Sequence, residues 1–94
     1  MFKGNQKMIK VMIVDDSATV RAGLSKIINK QQNMEVIAVA PDAYVARDKL
    51  AILNPDVICL DMEMPKLDGI SFLKKIMQYK PIPVIMVSSL TQRG

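Results

Sequence analysis

Two short apolar runs in this chain each end in a carboxylate: Ile13-Val14 leads into Asp15-Asp16, and Ile58-Cys59-Leu60 leads into Asp61. A run rich in Val and Ile and bounded by polar residues reads as a strand buried on both faces of a parallel sheet. The acids that close such runs stand at the carboxyl edge, where open α/β sheets bind their ligands. Carboxylates brought to that edge from two strands suggest a site for a hard cation or a phosphoryl group.

The order of the remaining segments supports that placement. Lys10 to Val14 reads as a first strand, and Val20, Leu24, Ile27 and Ile28 follow at helical spacing with Ser17 available as N-cap. Met34 to Ala40 reads as a second strand, and Pro41-Asp42 starts a helix with Ala46, Leu50 and Leu53 on one face, stopped by Asn54-Pro55. Val57 to Leu60 is the third strand; Met64-Pro65 imposes an extended loop, and Asp68 caps a helix whose Ile70, Leu73 and Met77 are expected to point inward. Pro81 and Pro83 bracket the restart, Val84 to Val87 makes a fourth strand, and Ser88-Ser89 stands at its carboxyl end. The pattern predicts β-α-β-α-β-α-β with right-handed crossovers and a parallel sheet.

With 94 residues there is room for one domain. Residues 1–8 read as an N-terminal extension and 9–94 as the domain. Half the residues are hydrophobic, eight are Met and few are aromatic, so aliphatic side chains must fill the core. One cysteine, Cys59, excludes an internal disulfide framework, and its place in an apolar run suits packing in a reducing compartment. No stretch is long enough to span a membrane and Met1 to Lys7 is no signal peptide, so a cytoplasmic protein is expected. The net charge of +4 comes from scattered basic residues without interleaved aromatics, which argues against nucleic acid. The acids are gathered instead: Asp15, Asp16, Asp61, Glu63 and Asp68, five of nine, fall around the two strand ends. Like charges that close repel unless a cation is present.

A strand-end carboxylate can attack a phosphoryl group in line when a metal neutralises the charge between them. Magnesium, which takes carboxylate, carbonyl, water and phosphate oxygens, is the natural candidate. Asp15 and Asp16 would anchor it, Asp61 would be the acceptor, and the loop stiffened by Pro65 would offer the backbone carbonyl of Glu63. Ser88, ending the adjacent strand, would donate to a phosphoryl oxygen and change rotamer when one arrives.

Asp15-Asp16 after an apolar strand, then Asp61-x-x-Met64-Pro65-x-x-Asp68-Gly69, then a hydroxyl residue closing the fourth strand, resembles the receiver domain of bacterial two-component response regulators. The resemblance covers the chain from Lys10 onward. It implies a flavodoxin-like (CheY-like) three-layer α/β/α fold, with about four strands in the order 2-1-3-4 and three helices present here. It also implies phosphorylation of Asp61 by a histidine kinase, a Mg2+ site at Asp15, Asp16, Asp61 and the Glu63 carbonyl, and Ser88 as the switch hydroxyl. Val14-Asp15-Asp16-Ser17-Ala18, Asn54-Pro55-Asp56-Val57, Asp61-Met62-Glu63-Met64-Pro65 and Val87-Ser88-Ser89-Leu90-Thr91 look more narrowly like the receivers of chemotaxis protein-glutamate methylesterases of the CheB type. In that group the receiver restrains a C-terminal esterase domain acting on methylated chemoreceptors, and phosphorylation by the chemotaxis kinase relieves the restraint.

The sequence ends at Gly94, before the family's fifth strand with its lysine and switch aromatic. The fourth strand is therefore expected to present an unpaired edge, covered by self-association or by further chain. With no histidine, the 94 residues hold neither a Ser-His-Asp triad nor a phosphohistidine, and no independent enzyme activity is expected of them. Plainer readings stay open. Asp15 or Asp16 could cap the helix near Ser17, Asp68-Gly69 could be turn and cap, and the Glu63 side chain could face water. Ser88 could be an ordinary strand-end hydroxyl, and Lys66, Lys74 and Lys75 could be solvated charges or border a partner's docking face. Functional alternatives are a receiver with another output, an interaction-only receiver, and an aspartyl phosphatase of the haloacid dehalogenase type. The last places its nucleophile on an early strand with a second Asp two residues on, where this chain has Glu63.

Overall fold

The computed structural model describes residues 7–61 and 69–87. Along the chain come β1 (Ile9–Val14), α1 (Ala18–Asn29), β2 (Met34–Ala40), α2 (Ala43–Leu50), β3 (Val57–Asp61), α3 (Gly69–Tyr79) and β4 (Val84–Val87). The strands form one parallel sheet in the order β2-β1-β3-β4. β1 lies between two partners, which is why Val11, Met12, Ile13 and Val14 are all buried and read as an unbroken apolar run. Between Val11 and Met12 the register against β2 shifts, Val11 facing Val36 and Met12 facing Ala38. Ile37 is the extra residue of a bulge, and the Val36 amide donates to Asn29 Oδ1 at 2.9 Å, so the last residue of α1 helps hold it.

Alternation along the strands separates two faces. Met12 and Val14 of β1 and Ile58 and Leu60 of β3 join Ala43, Ala46 and Leu50 of α2, Phe72 and Ile76 of α3, and Ile82 in one buried cluster. Right-handed crossovers in this strand order put α2 and α3 together on that face and α1 on the other. Val11 and Ile13 face α1 and are buried, yet α1 itself has no fully buried residue.

Three details differ from the sequence expectations. On α1, Leu24 and Ile28 are half-buried, but Val20 and Ile27 are exposed, because α1 is the one helix on that face among the described residues and covers only part of it. α2 ends at Leu50, so Leu53 lies beyond the helix. Its trailing carbonyls are taken up from a distance: Lys80 Nζ donates to Leu50 O at 2.9 Å and to Leu53 O at 3.3 Å. On α3 the inward pair is Phe72 and Ile76, four residues apart, whereas Met77 is 46% exposed. The expectation for Ile70 and Leu73 falls on side chains outside those described. No described helix is long and apolar enough to cross a membrane.

Candidate functional site

Register places the acids. Val14 pairs with Leu60, so the next residues along β1 and β3, Asp15 and Asp61, reach the carboxyl edge side by side. Both continue the rows that face α1, Val11-Ile13 and Val57-Cys59. One carboxylate oxygen from each of Asp15, Asp16 and Asp61 lies within 4.8 Å of the others. Asp15 is 6% and Asp61 9% exposed, while Asp16 is open to solvent.

The loop after β1 is held by its own polar groups. The Asp15 amide donates to Ala40 O at 3.0 Å, and the Ser17 amide donates to Asp15 Oδ1 at 2.9 Å. Ser17 is the N-cap of α1, its Oγ accepting from the Val20 amide at 3.2 Å. Neither Asp15 nor Asp16 is therefore the cap, and Asp15 spends one oxygen on the Ser17 amide. One turn into α1, Arg21 Nη1 donates to the Asp15 carbonyl at 2.7 Å, a contact the sequence reading missed. The Asp-x-x-x-x-x-Arg spacing across a helix start is its only signal.

β3 pairs with β4 so that Asp61 faces Val87, the residue before Ser88. Ser88, Glu63 and Asp68 lie outside the described residues, as do Met62, Met64, Pro65 and Lys66. Cys59, half-buried one step inward from Asp61 in the same row, has its thiol pushed above the ordinary value of 9.0 by burial, which suits packing and not reactivity.

The donor set is chemically selective. Three carboxylates with no imidazole or thiolate favour hard cations over zinc or copper. Ligand oxygens around an octahedral magnesium lie about 3 to 4.2 Å apart at the usual bond length of roughly 2.1 Å, so the cluster fits such an ion with small side-chain rotations. Asp15, Asp16 and Asp61 are the described side chains that would hold it.

The model of the response regulator receiver domain matches residues 11–93. A protein-glutamate methylesterase/protein-glutamine glutaminase of Sulfurimonas denitrificans is 69% identical over 86 residues, covering 92% of this chain and 24% of that protein. The crystal structure of the response regulator domain of Thermotoga maritima CheB superposes with a TM-score of 0.84 at 50% identity, covering 94% of this chain and 66% of that one. A structure of the P1 domain of CheA3 in complex with CheY6 from R. sphaeroides matches with a TM-score of 0.79 at 38% identity, covering 89% and 66%. The chain thus spans about a quarter of the length of the curated relatives it matches. Its sheet order and helix placement are those of the flavodoxin-like, CheY-like fold. The chain belongs to the response regulator receiver domain family, and its likeness within that family is to the receivers of CheB-type protein-glutamate methylesterases of chemotaxis signalling.

Proposed function

We propose that residues 9–94 are the phospho-accepting receiver of a chemotaxis methylesterase regulator, with residues 1–8 as an extension, and that Asp61 carries the phosphoryl group. The observation that carries this reading is the meeting of Asp15, Asp16 and Asp61 within 4.8 Å at the carboxyl edge. An Asp61 carboxylate oxygen attacks phosphorus while the P–N bond of a phosphohistidine breaks, leaving an acyl phosphate on Asp61 and a free imidazole on the donor. These 94 residues hold no histidine, and the donor in this reading is a histidine kinase of the chemotaxis type. Asp15, Asp16, Asp61 and the Glu63 carbonyl would hold a Mg2+, which would supply charge neutralisation between carboxylate and phosphoryl group. Asp15 is kept in place by the Ser17 amide and by Arg21 on its carbonyl, so the anchor is oriented before any ligand arrives. Ser88 donates its hydroxyl to the phosphoryl oxygen. In the cytoplasm, phosphorylation then controls a C-terminal methylesterase domain, whose substrates are chemoreceptors.

Acetyl phosphate with magnesium tests the chemistry directly. Intact-mass measurement is expected to show one labile phosphoryl group on the protein and none on Asp61→Asn. Labelling that persists in Asp61→Asn, or that ignores chelation of the metal, would sink the assignment.

A further inference from the structure

α2 and α3 leave between them an open groove of about 650 Å³ on the outer side of the molecule, remote in chemistry from the acid cluster. Three of the chain's four aromatic residues line it: Phe72 on the floor beside Ile76, and Tyr44 and Tyr79 on the rims. Phe72 and Ile76 are buried at 3% and 4% exposure, whereas Tyr44 is 48% and Tyr79 77% exposed. A chain this poor in aromatics has thus placed two large amphipathic side chains in solvent on a single feature. Arg47, the third residue type that dominates protein interfaces, stands with its guanidinium 5.8 Å from the Tyr44 ring centre.

The charge around the groove is mostly positive: Arg47 and Lys75 line it with one acid, Asp48, whose Oδ1 lies 3.8 Å from Arg47 Nε in an exposed, water-screened ion pair. α2 and α3 together carry Arg47, Lys49, Lys74 and Lys75 against a single acid, Asp48. Lys49 turns away to donate to Val39 O, leaving Arg47 and Lys75 on the groove wall with Lys74 exposed beside it. From Phe72 to Tyr79 the trough follows roughly 10 Å of helix axis, about two turns. We infer that this groove docks an amphipathic helix of a partner protein, its apolar stripe on Phe72, Ile76 and the two tyrosine rings and its acidic flanks toward Arg47, Lys74 and Lys75. The inference does not depend on the phosphorylation reading, since no residue of the acid cluster takes part.

The test uses the full chain and a fluorescein-labelled helical peptide of about 18 residues with Leu at i, i+3, i+4 and i+7 and Glu between. A sister peptide with Lys for Glu and an acidic scramble are the comparators. Anisotropy is expected to show saturable binding of the acidic helix alone. Arg47→Glu with Lys75→Glu should weaken it about tenfold and admit the Lys peptide, Tyr79→Ser should weaken it about tenfold, and Ile27→Ser on α1 should leave it unchanged. Thermal melts of the variants confirm folding, which the exposure of all four side chains favours. No saturable binding, equal binding of the Lys or scrambled peptide, or full binding by Tyr79→Ser would overturn the inference. So would light scattering that shows self-association abolished by Tyr79→Ser, because the occupant would then be a second copy.

Discussion

The two faces of this sheet are built from the same kinds of residue and covered to different extents. Beneath α2 and α3, Met12, Val14, Ile58 and Leu60 are wholly buried, and Phe72, Ile76 and Ile82 close over them. Beneath α1, Val11 and Ile13 are shielded, but Cys59 is half-buried, Ile85 is 55% exposed, and Ile27 on the helix is 61% exposed. Asp15 and Asp61 continue the rows of the second face. The acid cluster therefore stands above the thinly covered half of the molecule, while the densely packed half fixes the strands that present it.

Leu60→Ala on the closed face should cost about 2–5 kcal/mol in urea denaturation, since Leu60 is fully buried and its surroundings relax only partly into the space left. Lys80→Met tests the seal of the same face. It deprives the Leu50 and Leu53 carbonyls of a charged donor, and an expected loss of about 1–3 kcal/mol would be read from the same curves. On the open face, Ile27→Ser should stay within about 0.5 kcal/mol. A cost near that of Leu60→Ala would erase the distinction.

The subtlest probe is pH. Burial raises the Cys59 thiol above 9.0, so the folded state keeps its proton where the unfolded chain has released it. Stability is thus fully present below pH 9.0 and falls as pH rises through the raised folded value. Alkaline melts should show this decline in the protein and less of it in Cys59→Val, with neutral pH untouched.

Much of this was legible in the residues. β2 and β4 have the bounds their apolar runs give, β1 begins one residue earlier, and β3 extends one residue further to take in Asp61. Buried parallel strands announce themselves because both faces must be apolar. The convergence of Asp15, Asp16 and Asp61 follows from β1 and β3 being neighbours in register, which brings the residues after Val14 and Leu60 to the same edge. The helix faces were harder. Periodicity shows that a helix has an apolar side, but its phase is set by what it meets. Thus Phe72 and Ile76 turned inward where Met77 was expected, and Val20 and Ile27 found no cover. The contact of Lys80 with the end of α2, some thirty residues back along the chain, leaves no local pattern, and that of Arg21 with the Asp15 carbonyl leaves only a spacing across the helix start. The roles assigned to Ser88 and Glu63 rest on the sequence, as both lie outside the described residues.

The strand order also bears on how the chain is made. β2 pairs with β1, β3 with β1, and β4 with β3, so each strand after the first joins a partner already synthesised. Only β1 waits on the ribosome for a partner, and only until β2 emerges. The sheet can grow by accretion, each βα unit adding its hydrogen bonds as it emerges, which shortens the time that bare strand edges spend exposed to other nascent chains.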